Sequence, residues 1–141
     1  MSPVPPPRLL VQPLRRAVVL FLLLGLALAA CAQPVVTAGP FRVGPTKAGF
    51  ALVDDQGRTL YTNADDKDGV PSCTGDCADF WPPELAPPDA QPSGRLGVIR
   101  RPDGLLQWAW DGKPLYRYAG DTDPGDAWGE GLLARWHVVK A

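Results

Sequence analysis

The sequence predicts an all-β protein, a small sandwich or open barrel of about seven short strands built from two pseudo-repeats of about 55 residues. Three observations carry that prediction. Gly57-Arg-Thr-Leu-Tyr61-Thr-Asn63-Ala-Asp-Asp66 returns 55 residues later as Gly112-Lys-Pro-Leu-Tyr116-Arg-Tyr118-Ala-Gly-Asp121. The same ungapped offset pairs Phe41 with Leu96, Val43 with Val98, Asp68 with Asp123 and Trp81 with Trp136, so the repeated unit is far longer than one turn. Finally, 17 prolines and 15 glycines break the chain too often for long helices.

Residues 1–30 read as an export signal. Arg8, Arg15 and Arg16 give a positive start, and residues 17–30 are an uncharged apolar run of 14, short of the roughly 20 residues that cross a bilayer. The run ends in Leu28-Ala29-Ala30-Cys31, the pattern of a bacterial lipobox, in which the cysteine thiol takes a diacylglycerol and becomes the first mature residue. Two or three acyl chains on Cys31 suffice for a stable anchor, whereas one binds only marginally. Ala32 follows the cysteine, which directs the protein to the outer membrane if the cell has two membranes. Residues 31–40 then form a short tether, and residues 41–141 one small β domain.

Repeat one covers about residues 41–83. Phe41 to Val43 starts a strand, Gly49-Phe-Ala-Leu-Val53 continues it, Asp54-Asp55-Gln-Gly57 turns, and residues 58–62 return as the hairpin partner. Residues 78–81 suit one helical turn stopped by Pro82-Pro83, and the proline-rich residues 84–94 connect the repeats without forming a central strand. Repeat two covers about residues 95–139. Its strands fall near 95–101, 105–110 and 113–118, with a closing segment over 132–139. Asp111-Gly112 is the strongest hairpin signal, because a type I′ turn needs positive φ at both central positions.

Tyr61 and Tyr116 occupy equivalent strand positions, and Tyr118 shares a face with Tyr116. These aromatics, with Trp81 and Trp136, are expected in the core, since each buries about 150–250 Å2. A stacking platform for a ligand would call for a basic groove, which the sequence lacks. Asp66 and Asp121 are expected to accept backbone N–H groups in Asx-type turns. The sharper alternative is a calcium site formed by Asp121, Asp123 and Asp126, at a spacing unlike an EF-hand loop.

With Cys31 lipidated, Cys73 and Cys77 remain, and an even pair in an exported chain predicts a disulfide. The 55-residue offset sets Cys73 against Trp128 and Cys77 against Leu132, as though one repeat staples a loop that the other holds by packing. The alternative is copper, held by Cys73, Cys77 and the single histidine, His137, because thiolates and imidazole suit that metal.

Several features together resemble one family. Tyr116-Arg-Tyr118-Ala-Gly-Asp121 fits in full the Yx(FWY)xxD motif of bacterial secreted-repeat lipoproteins, and Tyr61-Thr-Asn63-Ala-Asp-Asp66 departs from it at Asn63. The segment from Cys73 to Pro83 is similar to that family's cysteine and Trp-Pro-Pro region. The resemblance covers about residues 47–139 and implies an exported, membrane-tethered domain of two repeats. It implies no catalytic residue.

The net charge of −1 and the absence of a basic run argue against nucleic acid as a partner. No nucleophile elbow or phosphate loop is present, so no enzyme activity is expected. The expected function is a membrane-anchored envelope lipoprotein whose non-enzymatic domain binds an envelope protein, a cell-wall component or a small ligand, or serves as structure, with no cofactor. The alternative is a periplasmic copper-handling or electron-transfer accessory.

Overall fold

Repeat two begins with the hairpin expected over residues 95–110, whereas the first hairpin of repeat one joins residues 41–46 to 49–53, ahead of the turn expected at 54–57. In the computed structural model, which describes residues 37–67 and 69–140, β1 (Thr37–Ala38), β2 (Phe41–Thr46) and β3 (Gly49–Val53) form an antiparallel sheet with Val43 opposite Leu52. The signal segment and Cys31 lie outside the described residues. β4 (Tyr61–Asn63) follows, then a single helical turn, α1 (Cys77–Phe80), which Pro82-Pro83 stops. In repeat two, β5 (Leu96–Arg100), β6 (Leu106–Trp110) and β7 (Lys113–Pro114) form the second three-stranded sheet, with Val98 opposite Trp108. Asp111 (φ 48°) and Gly112 (φ 77°) make its tight turn, as the type I′ geometry demands. A 3-10 turn (Leu132–Ala134) leads into β8 (Trp136–Val138). The protein is all-β, with eight short strands among the described residues.

The repeats interleave. β4 of repeat one pairs with β8 of repeat two, Tyr61 opposite Val138 and Asn63 opposite Trp136. The symmetric counterpart is the bridge between Pro83 and Tyr116, extended by the Arg117 N–H donating to the Pro82 carbonyl at 2.9 Å. Residues 58–62 are therefore not simply a hairpin partner of β3, and residues 113–118 pair with β6 only over β7. The start of the connector is also not free. Glu84 accepts from the Trp108 N–H and donates to the Leu115 carbonyl, both at 2.9 Å, so this stretch lies extended between two segments of repeat two. The flanking prolines cost nothing there, since only the carbonyl of Pro82 is used.

The ungapped offset drifts by one residue in places. Leu60 N–H donates to the Leu52 carbonyl, and Leu115 N–H to the Trp108 carbonyl, so the counterpart of Leu52 is Trp108 rather than Gln107. The β2–β3 turn is one residue shorter than the β5–β6 turn, and the following turn is one longer.

The interior has two apolar clusters, and both repeats contribute to each. Phe41, Leu52, Leu60, Leu96, Trp108 and Leu115 dominate one. Tyr61, Tyr116, Trp81, Trp136, Cys73 and Val138 dominate the other.

Candidate functional site

At the centre of the second cluster, Tyr61 and Tyr116 face each other across the junction of the repeats. Each donates its backbone N–H to the other's carbonyl at 2.9 Å, which places a pseudo-twofold axis between them. Their side chains then cross over. The Tyr61 hydroxyl donates to Asp121 Oδ2 at 2.5 Å, and Asp121 Oδ1 accepts the Trp128 N–H at 2.9 Å. The Tyr116 hydroxyl faces Asp66, whose Oδ1 accepts the Ser72 N–H at 2.7 Å and the Ser72 hydroxyl at 2.6 Å. The tyrosine of each repeat thus meets the aspartate of the other. On the second side the fit is looser, for Tyr116 Oη and Asp66 Oδ2 are buried without a hydrogen bond of ordinary geometry.

Burial first, and the neighbouring aspartate second, push both phenols above the usual tyrosine range. Both rings are fully buried. The aspartates do accept backbone N–H groups, but six or seven residues ahead, where they close a loop, rather than in Asx turns.

The tryptophans repeat the symmetry. Trp81 and Trp136 stack with centroids 3.7 Å apart and 3° between planes. Each takes the edge of its own repeat's tyrosine, Tyr61 with Trp81 at 5.4 Å and Tyr116 with Trp136 at 5.1 Å. Such pairs contribute about 0.5–1.5 kcal/mol each beyond their buried area.

The aromatic symmetry fails at the third position of the motif. In repeat two, Tyr118 lies tilted on Trp81 with ring centroids 4.6 Å apart, and Gly120 makes room for it: a Cβ there would stand 2.4 Å from the Tyr118 ring. In repeat one, the corresponding residues are Asn63 and Asp65. The ring is missing, and a cleft of about 410 Å3 opens between Trp136, Asn63, Phe80, Arg135 and the Cys73–Cys77 disulfide. Asn63 is pinned in the wall: its Nδ2 donates to Ser72 Oγ at 3.1 Å and its Oδ1 accepts the Asp65 N–H at 3.2 Å. Asp65 turns outward to Arg135 at 2.7 Å, an exposed pair of little energetic weight.

The rim is apolar and strained. Phe80 and Leu133 are 64% and 73% exposed there. Leu133 and Ala134 both have φ of 54°, the left-handed region, which costs non-glycine residues about 1–2 kcal/mol each. Strain of this kind collects at binding sites.

The model of a family described as a secreted repeat of unknown function matches the chain twice, at residues 43–83 and 97–140, more than half its length. The chain belongs to this secreted-repeat family. The two matches fall on the two interleaved repeats. No curated protein and no solved structure matches the chain.

Other expected site residues of this secreted-repeat protein lie elsewhere or are already engaged. Cys73 and Cys77 form a disulfide with Cα atoms 5.3 Å apart. His137 sits on β8 opposite Thr62, exposed, with Nδ1 3.1 Å from Glu130, and it lines a different cleft from the cysteines. The copper set of Cys73, Cys77 and His137 is therefore not assembled. The calcium set is also otherwise occupied. Asp126 binds Lys47 at 2.6 Å and accepts the N–H groups of Thr122 and Asp123, while Asp121 is taken by Tyr61 and Trp128. Lys47 holds the Asp126 carboxyl below the usual carboxylate range.

The counterpart of Cys73 is Gly129 rather than Trp128, since Ser72 and Trp128 both donate their N–H to the motif aspartate. The loop from Asp121 is one residue longer than that from Asp66, and Trp128 is left 60% exposed. The offset overlooked Arg101 and Gln107, both buried. Arg101 donates to Gln107 Oε1 at 2.7 Å and to the Cys73 carbonyl at 3.3 Å, fixing the disulfide loop from below. The only sequence signal for it was an arginine at the inner end of a strand.

Proposed function

We propose that this secreted-repeat protein is a lipid-anchored, non-enzymatic binding domain of the cell envelope, and that its ligand seat is the cleft at Asn63. One observation carries the seat: the only motif position at which the repeats differ in aromatic character is also where a cleft opens, beside a left-handed, exposed Leu133. A volume of about 410 Å3 is within the range of small-molecule sites. The anchor rests on the Leu28-Ala29-Ala30-Cys31 pattern and accords with the family's description as secreted. A fatty-acylated Cys31, carrying palmitate or a similar chain, would hold the domain at the membrane surface, the outer membrane where the cell has two.

Metabolic labelling with an alkyne-tagged palmitate, followed by fractionation, tests the anchor. The wild-type chain is expected to carry label and pellet with membranes, and Cys31→Ser to lose both. Label retained by Cys31→Ser would refute it. Amide shift mapping of the purified protein with small uncharged probes tests the seat, and shifts are expected at Asn63, Cys73 and Leu133.

A further inference from the structure

We propose that the tip of the β2–β3 hairpin, together with Trp128 beside it, is the face this protein lays on the lipid surface that holds its anchor. This inference rests on the reading of Cys31 as the lipid attachment site. The path of the chain supplies the first argument. β1 runs antiparallel to β2, with Ala38 opposite Phe41 and Thr37 opposite Arg42, so the chain traced back from Ala38 to Thr37 heads toward Thr46 and the hairpin tip. Cys31 precedes Thr37 by six residues, a reach of at most roughly 20 Å. From Arg42 to Thr46 is four residues of strand, about 13 Å. An acylated Cys31 therefore keeps the tip within reach of the headgroups.

The tip carries side chains that suit such a surface. Phe50 is 69% exposed on β3, opposite Pro45. Trp128, also exposed, is joined to the tip through Lys47, whose Nζ lies 4.4 Å from the centre of the indole and 2.6 Å from Asp126 Oδ1. The Lys47 N–H donates to the Gly125 carbonyl at 2.8 Å, and Lys140 Nζ donates to the Ala48 carbonyl in the same turn. Aromatic rings flanked by ammonium groups fit the boundary between acyl chains and headgroups, where the ring is buried and the charge stays wet. Because Asp126 offsets Lys47, apolar burial rather than attraction to anionic lipid drives the docking.

The internal repeat shows that the fold itself requires neither aromatic. Leu52 corresponds to Trp108, so Phe50 corresponds to Leu106, which packs half-buried against the first core cluster. Trp128 corresponds to Ser72. The pairing of Ala38 with Phe41 likewise returns as the bridge between Ser93 and Leu96, but there the leading segment is the connector between the repeats. Of these two equivalent ends, the one to which the tether leads carries the exposed aromatics.

The test uses the lipidated protein, purified from membranes and reconstituted in phospholipid vesicles with or without bromine on the acyl chains, a contact quencher of indole fluorescence. Trp81, Trp108, Trp110 and Trp136 are buried, so Trp128 is the reporter. Bromine is expected to quench the wild type, and Trp128→Phe to lose most of that quenching. Phe50→Ser is expected to weaken it while the protein still floats with the vesicles. Phe80→Trp, placed in the Trp128→Phe background, moves the reporter to the cleft rim and is expected to stay unquenched. Equal emission from vesicle-bound wild type in brominated and plain lipid overturns the docking and leaves the anchor standing. Quenching at the cleft rim as strong as at Trp128 also overturns it. If the wild type does not float with the vesicles, the anchor and the docking both fall.

Discussion

Removing the hydroxyl of Tyr61 leaves Asp121 Oδ2 buried without its donor, whereas removing that of Tyr116 breaks no hydrogen bond of ordinary geometry. Tyr61→Phe is therefore expected to cost about 2 kcal/mol, the range for a bond to a charged group, and Tyr116→Phe clearly less. Urea denaturation of the two variants checks the contrast; equal losses would contradict the asymmetry. The same tyrosines set an alkaline limit. Both phenols titrate above their ordinary value in the fold, so the folded state holds protons that the unfolded chain releases near pH 10. Their contribution is whole below about pH 10 and declines as pH rises, by up to about 1.4 kcal/mol per pH unit for each tyrosine. Urea midpoints between pH 9 and 11 should fall, and Tyr61→Phe should flatten the decline.

Between residues and the whole, the short elements owe their positions to a few cross-links. The disulfide closes only the segment from Cys73 to Cys77, and a loop that small contributes about 2 kcal/mol in the chain-entropy picture. Replacing both cysteines by alanine is expected to lower stability by about that amount while the fold persists, since Arg101 still holds the Cys73 carbonyl. Calorimetry checks it, and an unfolded variant would show that the staple carries far more than its loop.

At this scale the sequence was legible in part. The Asp111-Gly112 turn, the paired tyrosines and the helical turn before Pro82 were visible because each rests on local chemistry. The one-residue drift that sets Cys73 against Gly129 was not, because two short loops of unequal length cancel in an ungapped comparison. Nor was the meaning of Asn63 visible, since it depends on Gly120 clearing space for a ring in the other copy. The destination of the motif aspartates was hidden as well: a repeat looks the same in sequence whether its tyrosine meets its own aspartate or its partner's.

For the whole molecule, exchange is the organising fact. β4 pairs with β8, Glu84 is inserted between Trp108 and Leu115, and each motif tyrosine faces the aspartate of the other repeat. Neither repeat can bury its apolar residues alone, because both core clusters draw on both halves. The cleft at Asn63 lies at the same shared centre, where Asn63 of repeat one and the buried Trp136 of repeat two both border it. The most direct measurement is to prepare residues 37–94 and 95–141 as separate peptides and record amide spectra of each and of an equimolar mixture. Two collapsed, poorly dispersed spectra that become one native spectrum on mixing are the predicted result. A well-dispersed, cooperatively melting spectrum from residues 37–94 alone would contradict the exchange of the repeats.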